Sequence, residues 1–231
     1  MATTTVTPQR SSTSSTIGLK IMMAVSGLFF VFYVLLHMYG NLQILAGHQA
    51  FDTYAHHLRV LGEPMLPYEG ALWVFRILLI VALIAHAYSA IKLWGRANHA
   101  RQNRYLVKNA MGASLSSRTM RWGGIALLLF VIFHLLHFTI RSLPITEYSG
   151  SPAAMVVHAF QNPLMTLIYV LAMIALGMHL HHGVWSACQT LGFTNSAKSR
   201  GLAKFAGIVV AAVVVIGFLI PPLAIQFGII Q

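Results

Sequence analysis

The chain has 231 residues, 57% of them hydrophobic and only 8% charged, with a formal net charge of +11 and a mean hydropathy of +0.72. A water-soluble domain of this size carries far more surface charge, so the composition excludes one and points to an all-α integral membrane protein. The single cysteine, Cys188, excludes an intrachain disulfide and cannot supply the thiolates of an iron–sulfur cluster, which leaves histidine to hold any metal.

In chain order, residues 1–16 are polar and rich in Ser and Thr, lack the pattern of a cleaved signal, and are expected to form a cytoplasmic tail. A first span is predicted over 17–45, apolar apart from Lys20, with His37 near its far end. The section from Ala46 to Gly70 carries Asp52, Glu63, Pro64, Pro67 and Glu69 and must leave the hydrocarbon. Within it Phe51, Tyr54, Leu58 and Leu61 recur at helical spacing, which predicts a short helix on the membrane surface. The second span, 71–93, holds Arg76 near its start and His86 near its end. A basic loop follows with Lys92, Arg96, Arg101, Arg104, Lys108, Arg118 and Arg121.

The third span, 122–140, contains His134 and His137 and is closed by Arg141. After a polar connection with Pro144, Glu147 and Pro152, the stretch from Ala153 to Phe160 is expected to lie along the surface. Pro163 suits the first turn of the fourth span, 163–187, which carries His179, His181 and His182. Lys198, Arg200 and Lys204 precede the fifth span, 205–229, which meets Pro221 and Pro222.

Basic residues in short loops stay cytoplasmic. With the N-terminus inside, twelve of the fifteen Lys and Arg fall on that side and all four acids on the other. The C-terminus is then outside. In this orientation His37 and His134 lie near the outer ends of their helices, while His86 and His179 lie about two turns from the inner ends of theirs. One intramembrane histidine is more often a hydrogen-bonding helix contact than a ligand. Four of them, one on each of four helices and sorted two and two by depth, are the pattern that holds two b haems in a bundle interior. His137, His181 and His182 remain alternative ligands. His48, His56, His57, His99 and His158 read as surface groups.

From Ser26 onward the chain resembles the five-helix, di-haem cytochrome b anchor subunit of succinate dehydrogenases and fumarate reductases. The resemblance is carried by Ser-Gly-Leu-Phe through Leu-Leu-His-Met-Tyr-Gly-Asn (His37), Ile-Ala-His-Ala-Tyr (His86), Gly-Ile-Ala-Leu-Leu-Leu-Phe-Val-Ile-Phe-His (His134) and Gly-Met-His-Leu-His-His-Gly-Val-Trp-Ser (His179). It implies a haem-binding bundle in a bacterial cell membrane, with helix one paired to three and two to four. It also implies a cytoplasmic iron–sulfur subunit and FAD flavoprotein as partners, the flavoprotein carrying the succinate site, and menaquinone as electron acceptor. Membrane lipid is a further partner, a higher oligomer of the complex is compatible, and no nucleic acid is expected. Glu69, Glu63 and Arg76, at the entry to the second span, are candidates for a quinone site or for haem propionates. Two other functions are weighed against this. A transporter would place acids near the midplane, and no span here has one. A haem subunit of a hydrogenase or formate dehydrogenase would copurify with different partners.

Overall fold

The computed structural model describes residues 15–99, 115–143 and 150–231. The tail up to residue 14, Arg101, Arg104, Lys108, Pro144 and Glu147 lie outside the described residues, as does the side chain of Arg118. Seven α-helices and no strand are described: α1 (Thr16–Leu42), α2 (His48–Val60), α3 (Gly70–His99), α4 (Leu115–His134), α5 (Pro152–Gln161), α6 (Pro163–Thr190) and α7 (Ala197–Gln226). Five are long and apolar enough to cross a membrane, namely α1, α3, α4, α6 and α7. Capping chemistry fixes several starts. Ser15 Oγ accepts from the Gly18 N–H at 2.9 Å, Asn162 Oδ1 accepts from the Leu164 N–H at 2.9 Å ahead of Pro163, and Ser196 and Ser199 form a reciprocal capping box on α7.

The helices outrun the apolar stretches that predict them. α3 continues past residue 93 to His99, and α7 begins at Ala197 instead of near 205. A helix satisfies its own backbone whether or not the surroundings are apolar, so it ends where a cap stops it and not where hydrophobicity does. Basic side chains at this end of α3, α4 and α7 lie over rings: Lys92 over Tyr88 at 5.6 Å, Arg121 over Trp94 at 5.3 Å and Lys204 over Trp185 at 5.4 Å. This is the basic end of the bundle. α7 also runs straight through Pro221 and Pro222, which the sequence places near its end.

The opposite end is capped by α2 and α5, joined where Asp52 Oδ1 accepts from the Ala153 N–H at 2.9 Å. α2 is as exposed as the amphipathic spacing predicts, with no fully buried residue. α5 departs from expectation. Ala153, Val156, Val157, Ala159 and Phe160 are all buried, all but Ala159 packed with Ile44, Tyr169 and Ile225 into a core, and only His158 and Gln161 are exposed. Its apolar residues wrap most of the helix, so it enters the protein where a one-sided helix would rest on lipid.

Within the bundle α1 packs against α3, α6 and α7, while α6 packs against α4 and, most extensively, α7. Small residues permit that last approach: a Cβ on Gly207 would lie 2.7 Å from the His181 carbonyl oxygen. α3 is peripheral, with only Ser89 of its 30 residues buried. Neither α1 with α4 nor α3 with α6 forms a closely packed pair. These two diagonals are the spaces across which the intramembrane histidines meet.

Candidate functional site

His37 on α1 and His134 at the end of α4 face each other with ring centroids 5.8 Å apart. His86 on α3 and His179 on α6 do the same at 6.2 Å. Two imidazoles bound to one metal from opposite sides, with metal–nitrogen bonds of about 2 Å, have ring centres roughly 6 Å apart. Direct aromatic contact spans similar distances. The location of the pairs favours a ligand role, since each joins two helices that do not pack closely on one another.

The pairs occupy different depths. Gly27, beside His86, and His37 are ten positions apart on α1, as Tyr169, beside His134, and His179 are on α6. At the helical rise this separates the pairs by about 15 Å along the bundle axis. His37–His134 belongs to the capped end and His86–His179 to the basic end. Among the described residues no group of three or more His, Cys, Asp or Glu converges as a metal cage. Two imidazoles leave most of an iron's coordination to be supplied from elsewhere, which is what a macrocycle does.

The surroundings of each ring add to this. His86 Nδ1 lies 3.1 Å from the Met23 carbonyl oxygen and 3.2 Å from Ser26 Oγ, whose own proton goes to the Met22 carbonyl at 2.7 Å. An Nδ1–H donated to a carbonyl fixes the tautomer and leaves Nε2 bare for a metal. Gly27 gives the ring its room: a Cβ there would sit 3.2 Å from His86 Cε1. Gly124 borders His179, where a Cβ would make ordinary contact at 3.7 Å from its Cε1, and a cleft lined by Thr119, Met120, Gly123, Ala175 and Met178 opens beside it. His179 Nδ1 is buried without a hydrogen-bond partner, a cost that polar groups in native interiors rarely bear without reason.

The structure separates the alternative histidines. His137 is 2% exposed and directs Nδ1 to Tyr169 Oη at 3.1 Å, on the same hydroxyl that His134 Nδ1 meets at 3.2 Å. It is His134 that faces His37. On α6 it is His179 that faces His86, while the His181 carbonyl backs onto Gly207. His48, His56, His57, His99 and His158 are exposed.

At the capped end Glu69 stands between two guanidinium groups, with Oε1 3.2 Å from Arg59 Nε and Oε2 3.5 Å from Arg76 Nη1. Its backbone is left-handed, with φ of +61°, and is held there by its N–H donating to the Arg59 carbonyl at 2.6 Å. Arg76 also covers the Trp73 ring at 4.8 Å, and deeper on α1 the Tyr33 ring stacks on His37 at 5.5 Å. Glu63 lies on an exposed turn and joins none of these contacts. Nearby, partial burial pushes the Tyr54 phenol up from its ordinary range, with Tyr39 adding to the shift. Sequence reasoning did not reach Arg59, Tyr169 or the Met23 carbonyl. A lone arginine on a surface helix, a mid-span tyrosine and a backbone oxygen carry no pattern of their own.

A family model described as "Succinate dehydrogenase/Fumarate reductase transmembrane subunit" matches residues 96–218, more than half of the chain. The succinate dehydrogenase cytochrome b558 subunit of Bacillus subtilis (strain 168) is 25% identical over 179 residues, covering 77% of this chain and 81% of that protein. No solved structure gives a significant match.

Proposed function

The chain belongs to the succinate dehydrogenase/fumarate reductase transmembrane subunit family, and we propose that it carries electrons through two b haems between the complex's dehydrogenase subunits and membrane quinone. The observation that carries this reading is the pair of facing imidazoles at each of two depths, 5.8 Å and 6.2 Å apart. A haem with histidine on both faces has no open coordination position and supplies one-electron transfer without binding oxygen.

The residues divide that work. His37 and His134 hold the haem at the capped end, and His86 and His179 hold the one at the basic end. The Met23 carbonyl orients His86 through its Nδ1–H, and Gly27 leaves room beside that ring. The basic end faces the cytoplasm, where Lys92, Arg96, Arg121, Lys198, Arg200 and Lys204 form the docking side for the iron–sulfur subunit and, through it, the FAD flavoprotein. The related subunit's name, cytochrome b558, supports haem b as the cofactor. A purified complex should contain two b haems per copy of this chain in a pyridine haemochrome assay. A count of one or none removes the four-histidine arrangement.

Quinone, menaquinone by resemblance, exchanges electrons at the capped end. There Glu69 pairs with Arg76, and the Tyr33 ring stacks on His37. Quinone reduction takes up protons, and Glu69 is a carboxylate at this water interface, held between Arg59 and Arg76. The Glu69→Gln variant is expected to keep both haems and succinate oxidation with a soluble acceptor, while succinate-driven quinone reduction falls at least tenfold. Unchanged quinone reduction would assign Glu69 solely to the tie between α2 and α3.

A further inference from the structure

We propose that Tyr169 is a positioning residue that sets the redox potential of the haem at the capped end, through a hydrogen-bond relay from His134 to His137. The assignment rests on the two-haem reading above. Tyr169 Oη stands 3.2 Å from His134 Nδ1 and 3.1 Å from His137 Nδ1. A phenol has one proton to give and lone pairs to accept with, so it can donate to one imidazole while it accepts from the other.

Ligation fixes the order. With His134 Nε2 on a metal, its proton must sit on Nδ1, so Nδ1–H donates to Tyr169 Oη. The phenol proton is then directed to His137 Nδ1, and the His137 proton moves to Nε2. The reverse order would put a proton on His134 Nε2 and block the metal. His137, at 2% exposure, therefore acts as the acceptor that turns the tyrosine's lone pair toward His134.

Local structure is arranged for this contact. Immediately after His134 the helix widens into a π turn, Leu135–Thr139, closed by the Ile140 N–H donating to the Leu135 carbonyl at 2.7 Å. Such turns recur at functional sites because they redirect side chains without ending the helix. The Tyr169 ring is held edge-on by Phe130 and Phe160, each with centroid 5.0 Å away. At the basic end His86 uses a different acceptor, the Met23 backbone carbonyl. The two haem sites thus differ in the group that receives the ligand's Nδ1–H.

An acceptor on Nδ1–H makes the imidazole a more basic ligand and favours the more highly charged, oxidised iron. The Tyr169→Phe substitution keeps the ring packing and removes the acceptor. In the purified complex both haems should remain, and the capped-end haem should titrate at a higher midpoint potential. The expected shift is up to about tenfold in its redox equilibrium, or 59 mV for one electron. The basic-end haem should not move. His137→Phe should shift the same haem in the same direction by less, because the phenol loses its orienting partner and keeps its oxygen. If Tyr169→Phe assembles without the capped-end haem alone, occupancy does not separate the relay from packing, and the potential of that haem in His137→Phe decides. If it loses both, the His137→Phe titration decides, and an unchanged potential there overturns the proposal. Two bound haems with unchanged potentials in Tyr169→Phe overturn it directly. Absence of haem from the unaltered complex would instead defeat the two-haem reading itself.

Discussion

Replacing His179 with alanine is expected to give a complex with one b haem per chain instead of two, and a redox titration that lacks one component. His179 and His86 face each other across the diagonal between α3 and α6, and neither has another histidine opposite it. On the two-haem reading, truncation would leave His86 as the one residue of this pair able to hold the haem. Even loss of an outer hydrogen-bonding partner typically lowers metal affinity about 10- to 100-fold, and loss of the ligand itself costs more. His86→Ala should remove the same component, and His37→Ala the other. A His179→Ala complex that retains both components would show that His182 or another group is the ligand on α6.

Enlarging Gly27 to leucine tests the same site without touching a ligand. A Cβ at this position would already lie 3.2 Å from His86 Cε1 and 3.5 Å from Nδ1, and the rest of an isobutyl group has no room unless the imidazole moves. Overpacking of this kind typically costs about 1–3 kcal/mol. Here the cheapest relief is rotation of His86 away from the Met23 carbonyl, which breaks the bond that orients it. The basic-end haem should be lost or its potential displaced, with the capped-end haem intact. Full occupancy at an unchanged potential would mean that the His86 ring does not depend on its seat against α1.

The spans and the two-layer sorting of histidines are legible in the sequence because both follow from one-dimensional quantities, apolar length and distance along a helix. Motif resemblance points to His134 over His137, but which of the two rings faces His37 is not readable from spacing. It depends on how the last turn of α4 widens over Leu135–Thr139, a distortion with no signature in residue type. Tyr169 was unreadable for a related reason. A tyrosine among Leu, Ile and Val looks like any packing aromatic until the helix opposite it is known to bring two imidazoles to its hydroxyl. α5 misled because its composition is equally compatible with lipid and with a protein interior, and only the structure shows its apolar residues packed against Ile44, Tyr169 and Ile225. The Ser-Gly-Leu-Phe motif held more than its letters state, since Ser26 and Gly27 turn out to form the seat of His86.

The displacement of the two histidine pairs along the bundle axis has an electrical consequence. Groups about 15 Å apart along the membrane normal, estimated from the helical rise, do not share one electrostatic potential in an energised membrane. An electron moved from one pair to the other performs work against the transmembrane voltage or is driven by it, at about 2.3 kcal/mol per charge for each 100 mV actually traversed. On the two-haem reading, a reaction with little driving force of its own would then be poised by the voltage across the membrane, and its direction would depend on that voltage as much as on the protein.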